Sequence, residues 1–327
     1  MVKIWALLDD RMGNNNQILG VAEALGLPFE QKKIVYNKLV HLPNFLRGKT
    51  TCGIDESCLR EIDLHAERLP DLIIGAGRRM FPLMRYLKKK SRGRTRLVQM
   101  MNPGFFGFKE ADLVVLPRHD RYKGKAKNVM QTLGSPHRVT KQKLEEELEK
   151  WRPVFEKYAQ PRISVIVGGS TKKMPFTVEM AKQLALGVLD LNPGSILVTT
   201  SRRTPIDVIQ TLKQMFPADK TYFYQFGDKE ENPYFGLLAW GGRIVVTGDS
   251  MSMCSECCAT GVPVYIFSPQ KNKSKKHALF HQQLYETGYA TALGCGQTAF
   301  GGRLNSAQDV AERIRSLLPV ELPAESD

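Results

Sequence analysis

The sequence predicts an α/β chain of two domains, each a parallel sheet with helices on both faces. Three observations predict it. Short apolar runs alternate with helix-period segments along almost the whole chain. A highly charged helical stretch, VTKQKLEEELEKWRPVFEKYAQPR, ends at Pro161, and the alternation then begins afresh. Finally, 327 residues with 42% hydrophobic and 24% charged content are too long and too apolar for a disordered chain and suit two globular domains. The domains are set at residues 1–150 and 151–327.

The elements follow in order. VKIWALL reads as a first buried strand. It is too short for a secretory apolar region, and Asp9 and Asp10 follow where a small-residue cleavage site would be needed. GNNNQ, from Gly13 through Asn14, Asn15 and Asn16 to Gln17, joins this strand to the helix NQILGVAEALG. It either caps that helix or offers amides to a ligand. DLIIGAG, TRLVQMM and ADLVVLP are the next strands, and ISVIVGG, SILVTTS, KTYFYQF, RIVVTG and VPVYIF follow the boundary. Between the first two of these, the segment Met174 to Leu191 is helical, with Phe176, Met180, Leu184, Gly187, Val188 and Leu191 on one stripe. No run approaches the roughly 18 apolar residues of a membrane-spanning helix. The chain is expected in the cytoplasm, and six scattered cysteines fit a reducing compartment.

A net charge of +14 favours acidic partners: phosphorylated small molecules or anionic lipid. Nucleic acid is not expected, because no aromatic-interleaved or zinc-finger pattern accompanies the charge. From Arg78 to Arg96 there are nine basic residues and no acid. Met80, Leu83, Met84 and Leu87 keep helical spacing there, leaving Arg85, Lys88, Lys89 and Arg92 on the other face, which is either solvated or directed at an anionic membrane. RHDRYKGKAK from Arg118 and KNKSKKH from Lys271 are further basic clusters.

Parallel sheets bind ligands at the carboxyl ends of their strands, so the residues just after each apolar run matter most. In the second domain these are Gly168-Gly169-Ser170-Thr171-Lys172, Ser201-Arg202-Arg203-Thr204, Gln225-Phe226-Gly227 and Thr247-Gly248-Asp249-Ser250-Met251-Ser252. A glycine pair lets backbone N–H groups approach a phosphate, a following helix adds its positive end, and paired arginines suit a diphosphate. Alone, a Gly-Gly is a turn and an Arg pair is surface; their recurrence at one end of one sheet points to a phosphate-bearing ligand. Nothing matches the P-loop pattern, GAGRRM lacks the third small residue of the dinucleotide fingerprint, and GCGQTA opens no helix.

TGDSMSMCSECC, residues 247–258, joins two buried strands yet is rich in hydroxyls, acids and thiols. Glu256 falls in the first or second turn of the helix that follows, where it is either an ordinary acid or a partner for ribose hydroxyls. Cys254, Cys257 and Cys258 lack a second CxxC or a His pair, so buried small hydrophobes are favoured over zinc, and no metal is expected.

LLDDRMGNNNQILGVAEALGL, DLIIGAGRR, ADLVVLPRHD, GGSTKKMPF, VTTSRRTP and VTGDSMSMCSECCATGVPVYIF resemble, in order, segments of the plant mitochondrial-fission family called elongate mitochondria, whose bacterial members are described as glycosyltransferases. The resemblance covers nearly the whole chain. It implies a GT-B-like fold, two facing Rossmann-like domains with a nucleotide-sugar donor in the second and no cofactor beyond that co-substrate. The stretch Gly248 to Pro263 is also similar to the signature of the peptidoglycan N-acetylglucosaminyltransferase. By that similarity Glu256 would contact the donor ribose, Ser250, Ser252 and Met253 would line the nucleotide loop, and Gly168 to Thr171 would face the phosphates. Asp249-Ser250-Met251 departs from the serine-glycine turn of that enzyme.

Transfer in such a fold needs the donor positioned, the leaving diphosphate neutralised and a base for the acceptor proton. Lys172, Arg202 and Arg203 are the expected charges, without a metal, since no DxD pair occurs in the first-half loops. Asp10, His119 and Asp120 stand at inferred strand ends of the first domain and are the expected bases. Gly13, Asn14, Asn16, Gln17, Gly77 and Arg78 stand at the acceptor side, for a glycan or lipid-linked acceptor at the cytoplasmic membrane face. Two other readings stay open: a membrane-associated scaffold without turnover, which the plant relative suggests, and a nucleotide-sugar 2-epimerase, which uses a similar shell.

Overall fold

The computed structural model describes residues 2–62, 68–104, 107–171, 174–269, 274–296 and 302–318. Lys172 and residues 271–273 of the KNKSKKH cluster lie outside the described residues. The chain divides into two compact units, Met1–Arg138 with Ser306–Asp327, and Val139–Asn305.

The first unit carries β1 (Ile4–Leu8), α1 (Met12–Ala24), β2 (Glu30–Lys33), α2 (Asn44–Arg47), α3 (Glu56–Glu61), β3 (Leu72–Ala76), α4 (Gly77–Lys90), β4 (Arg96–Met100), α5 (Gly107–Glu110), β5 (Leu113–Pro117) and β6 (Val129–Thr132). The second carries α6 (Lys141–Phe155), β7 (Arg162–Ile166), α7 (Val178–Leu189), β8 (Ser195–Thr199), α8 (Ile206–Met215), β9 (Thr221–Tyr224), α9 (Tyr234–Trp240), β10 (Arg243–Thr247), α10 (Met251–Cys258), β11 (Val264–Phe267), α11 (Lys275–Glu286) and β12 (Thr291–Ala292). The chain then returns to the first unit with α12 (Ser306–Arg315).

Each unit holds a six-stranded sheet, ordered β2-β1-β3-β4-β5-β6 in the first and β12-β11-β10-β7-β8-β9 in the second, with every neighbouring pair parallel. Helices cover both faces, so central strands are apolar throughout rather than alternating. In β1, Ile4 and Ala6 belong to one core and Trp5 and Leu7 to the other. Each Leu or Ile taken fully out of water contributes about 1.5–3 kcal/mol. All nine strands read from apolar runs are present. The three that the apolar runs do not mark, β2 (EQKK), β6 (VMQT) and β12 (TA), are sheet edges, which pair on one side only and need no apolar run.

Two boundaries differ from the sequence reading. Helix α6 belongs to the second unit, which begins at Val139 rather than residue 151. The reason is its apolar stripe: the Phe155 ring meets Tyr222 at 5.0 Å and Trp240 at 6.2 Å, and Trp151 lies so close to α9 that a Cβ on Gly236 would meet its ring at 2.4 Å. Helix α12 packs Ala307, Val310, Ala311 and Ile314 into the core built on Ile18, Val21 and Ala22 of α1, so residues 306–315 complete the core of the first unit. In α7 the buried face is Ala181, Leu184, Ala185 and Val188, with Thr177 as its cap accepting the Met180 N–H. The larger stripe read from the sequence passes over the two alanines. Among the described residues, no helix is long and apolar enough to cross a membrane.

The basic face of α4 is partly neutralised at home. Arg85 forks onto Glu110 at 2.7 and 2.8 Å, and Lys88 reaches Asp112 at 2.5 Å, with Arg96 on the same carboxylate at 2.9 Å. The charges that pair with them sit in α5 and just after it, from 16 to 25 positions further along the chain, and are invisible in a helix-face reading.

Candidate functional site

In the second unit the winding reverses between β7 and β10, which is where a doubly wound sheet opens a crevice at its carboxyl edge. The loops that follow those two strands are tied to each other. Gly168 donates its N–H to Thr247 Oγ1 at 2.7 Å, and Gly169 donates to Asp249 Oδ2 at 2.9 Å. The Thr247 hydroxyl donates to Asp249 Oδ1 at 2.7 Å, and Arg203 Nη2 donates to Oδ2 at 3.1 Å. Both glycines are required by close approach. A Cβ on Gly168 would stand 2.2 Å from the Asp249 carboxylate, and one on Gly169 would stand 2.2 Å from the Arg203 backbone. The Arg203 turn is itself fixed: Ser201 N–H donates to Thr204 Oγ1 at 2.9 Å, and Ser170 N–H donates to the Arg203 carbonyl at 3.0 Å. Thr171 pairs with Met174 across a short antiparallel bridge beside this loop. Arg202 and Arg203 are both exposed, and Arg203 is anchored on Asp249.

Helix α10 starts at this crevice. Ser250 is its cap, with its hydroxyl accepting the Met253 N–H at 3.4 Å, and Ser252 and Met253 are half-buried in the first turn. First-turn N–H groups have no intrahelical acceptor, so this end suits an anion. Glu256 lies in the second turn and is buried. Its Oε2 accepts the Tyr234 hydroxyl at 2.5 Å. Burial, reinforced by the Glu256 charge, pushes the Tyr234 phenol well above its usual range, which keeps it a donor. Cys254, Cys257 and Cys258 are buried, and burial pushes all three thiols up, so they serve as small apolar core side chains. Among the described residues, no group of three His, Cys, Asp or Glu converges as a metal site requires.

A small pocket opens beside the tied loops, lined by Gly169, Phe176, Thr247, Asp249, Phe267 and His277 among others. His277 Nε2 lies 3.1 Å from the Asp249 carbonyl, and its Nδ1 faces the Ser274 hydroxyl at 2.5 Å. Burial lowers the pKa of this imidazole, against the pull of Asp249. The folded state therefore binds this proton less readily than the unfolded chain. The neutral-ring stability is intact above the unfolded value of about 6.5 and is lost as pH falls below it toward the depressed folded value. Between pH 7.5 and 5 the Tm of His277→Gln is expected to fall less than that of the parent chain; equal falls would show that the ring does not titrate between the two states.

Three of these residues were not legible as site residues. Asp249 is marked only by standing between a strand end and a cap, Tyr234 lies 22 positions from Glu256, and His277 sits in a segment read only as basic.

In the first unit the reversal lies between β1 and β3. GNNNQ is not a connecting turn there: Gly13 to Gln17 already lie inside α1. Their amides are largely spent on Asp9. Asn15 accepts the Asp9 N–H at 2.9 Å and donates to its carbonyl at 2.8 Å, Asn14 donates to its carboxylate at 3.3 Å, and Gln17 donates to Gly13 at 3.3 Å. Asn16 is half-buried on the same helix. Gly77 opens α4 with φ +74°, where a Cβ would touch Asn14 at 3.4 Å, so these two do meet. Arg78 is exposed beside them. Arg79 is shared between Asp9 at 3.2 Å and Asp10, and its guanidinium lies 4.6 Å over the Tyr36 ring. Burial would raise the Asp10 pKa, but the Arg79 hydrogen bond and charge outweigh it and hold the group below the usual carboxylate value. Asp10 is thus an ionised rim carboxylate. His119 and Asp120 follow β5, and β3 and β4 intervene between it and β1, a gap of about 14 Å at the usual strand spacing. The structure does not bring them to Asp10, and His119 is buried rather than facing a ligand.

A family model described as "Mitochondrial fission ELM1" matches residues 12–318. An uncharacterized protein of Rickettsia prowazekii is 31% identical over 98% of this chain and 99% of its own length. The mitochondrial fission protein ELM1 of Arabidopsis thaliana is 27% identical over 75% of this chain, which spans 63% of that protein's length. Among solved structures, the UDP-GlcNAc 2-epimerase of Methanocaldococcus jannaschii superposes with a TM-score of 0.58 at 12% identity, covering 97% of this chain and 99% of that one. UGT2 of Phytolacca americana, complexed with UDP-2-fluoro-glucose and pterostilbene, superposes with a TM-score of 0.50 at 10% identity, covering 97% and 90%. At such identities these likenesses carry the fold, which is GT-B-like.

Proposed function

We propose that this chain, which belongs to the mitochondrial fission ELM1 family, binds a nucleoside-diphosphate sugar at the switch-point crevice of its second unit and transfers the sugar to a glycan or lipid-linked acceptor at the cytoplasmic membrane face. The observation that carries the reading is the α10 N-terminus opening at the switch-point crevice beside the exposed Arg202 and Arg203, on loops held together through Gly168, Gly169, Thr247 and Asp249. Supporting it, both solved likenesses carry UDP-sugar names, and the fold is theirs. In this reading the α10 N-terminus and exposed Arg202 neutralise the leaving diphosphate, Lys172 adds a third charge, and Asp249 holds Arg203 and the glycine loop in register. Glu256 and Tyr234 form the wall against which the ribose rests. The acceptor hydroxyl gives its proton to Asp10, the exposed and ionised carboxylate among the three expected bases; His119 and Asp120 then support the loop after β5.

A thermal-shift panel of nucleotides and nucleotide sugars tests binding first. A ligand at a hundred times its Kd should stabilise the chain by about 2.7 kcal/mol. Arg202→Ala and Glu256→Ala are each expected to weaken nucleoside-diphosphate binding by about 1.5–3 kcal/mol without unfolding the chain, with the smaller effect at Glu256 if only ribose hydroxyls are involved. Unchanged affinity in both variants would remove the donor-site assignment. Conversion of a bound UDP-sugar without any acceptor would instead make the chain an epimerase. No nucleotide response at all would leave a scaffold of the mitochondrial-fission type.

A further inference from the structure

Four large apolar side chains within eight residues of the first unit face water: Leu39, Leu42, Phe45 and Leu46 are 51%, 39%, 68% and 62% exposed. Single exposed leucines are ordinary, but a cluster of this kind marks a docking surface. The segment is not slack. Asn37 accepts the Leu39 N–H at 2.9 Å and donates to the Ile54 carbonyl at 2.8 Å, Asn44 donates to the Arg78 carbonyl at 2.8 Å, and Val40 is buried. Beneath it lies Arg47, fully buried, with Nε on the Cys52 carbonyl at 3.0 Å and Nη1 on the Arg79 carbonyl at 3.1 Å. A backbone so fastened from below presents its apolar side chains outward as a rigid element.

The surroundings select the occupant. Between Glu30 and Asp55 the chain has five Lys or Arg and no acid; Lys32 pairs with Glu30, Lys49 with Glu110 and Arg47 is buried, which leaves Lys33 and Lys38 exposed. Leu42 and Phe45 also rim a cavity whose other walls include Arg78, Arg79 and Arg85. Arg79 and Arg85 are engaged by Asp9, Asp10 and Glu110, while Arg78 and Lys38 are exposed. Apolar tips ringed by cations match the interface of an anionic bilayer, where the tips enter the boundary between head groups and acyl chains and the cations meet phosphates. We infer that residues 38–46 are a membrane-docking element for an anionic bilayer, with Leu39, Leu42, Phe45 and Leu46 entering it and Lys38 and Arg78 on its head groups. The inference rests on the proposed membrane-borne acceptor for its purpose, but its test requires no turnover.

The full chain is sedimented with vesicles of phosphatidylglycerol and phosphatidylcholine in equal parts, and with phosphatidylcholine alone. The parent chain is expected on the anionic vesicles at low salt and to leave them as salt rises, since exposed charges are screened over about 10 Å at 0.1 M. The triple variant Leu42→Ser, Phe45→Ser, Leu46→Ser is expected to lose about tenfold or more of that affinity, with its Tm and its nucleotide-induced thermal shift unchanged. Lys88→Gln with Lys89→Gln should lose less than the triple variant, because Lys88 is already paired. Absence of the parent chain from anionic vesicles overturns the inference, as does a triple variant that binds like the parent. So does a dimer of the parent chain that the triple variant abolishes, because the occupant would then be a second copy. Vesicle binding without any nucleotide response would keep the docking element and remove the donor site; the opposite pair of results would do the reverse.

Discussion

Gly169→Ala is expected to abolish nucleoside-diphosphate binding and to destabilise the second unit by about 3–5 kcal/mol. The new Cβ would stand 2.2 Å from both the carbonyl carbon and oxygen of Arg203 and 2.5 Å from the Thr204 nitrogen, all backbone atoms that no rotamer change can move. Overpacking of this kind costs about 1–3 kcal/mol, and the shift would also pull the Gly169 N–H off the Asp249 carboxylate, a bond to a charged group worth about 1.5–3 kcal/mol. Gly168→Ala meets the Asp249 carboxylate instead, and moving that side chain would break its bonds to the Gly169 N–H, Thr247 and Arg203, so its cost should be comparable. Thermal unfolding and titration with UDP measure both effects. A Gly169→Ala chain that binds UDP with parental affinity would show that the ligand docks elsewhere.

How much of this was legible follows from where the information sits in the chain. Gly168, Gly169, Arg203 and Ser250 could be placed at the sheet's carboxyl edge because each stands at the end of an apolar run, but the N–H groups expected to face a phosphate from Gly168 to Thr171 are turned inward, onto Thr247, Asp249 and the Arg203 and Met174 carbonyls. Asp249 could not be assigned its work, because its partners are 46 and 80 positions away and meet it only across the switch point. The same limit explains the dispersal of Asp10, His119 and Asp120: successive strand ends read alike in sequence, while the order β2-β1-β3-β4-β5-β6 sets β5 three places from β1. The amide-rich run after β1 looked like a ligand loop because asparagines suit turns; inside α1, Asn14 and Asn15 are turned back on Asp9 and Gln17 on the Gly13 carbonyl. Lys88 and Arg85 looked free for the corresponding reason, since Glu110 and Asp112 approach from the other side of β4 in sequence.

Arg47→Ala is expected to destabilise the first unit by about 2–4 kcal/mol and to strip the chain of vesicle binding while leaving its nucleotide response in place. The substitution removes the two charge-assisted bonds to the Cys52 and Arg79 carbonyls, each contributing about 1.5–3 kcal/mol, and empties the volume of a long buried side chain. Against this stands a gain. The guanidinium is costly where it is: burial lowers its pKa, and Nη2 has no hydrogen-bond partner among the described residues. The net cost is therefore set below the sum of the losses. Arg47→Met separates the two contributions, because it restores volume without donors. If that chain is as stable as the parent, the desolvation cost cancels the two hydrogen bonds, and Arg47 is retained for the shape it imposes on residues 38–46 rather than for stability. Gly53 supplies an independent check, since its φ of +88° and a Cβ that would fall 2.9 Å from the Val40 Cα and 3.0 Å from Arg47 Nε make it the opening through which the arginine reaches its carbonyls. Gly53→Ala should share the phenotype of Arg47→Ala, and a Gly53→Ala chain that keeps parental stability and vesicle affinity would show that the apolar segment does not depend on the buried arginine beneath it.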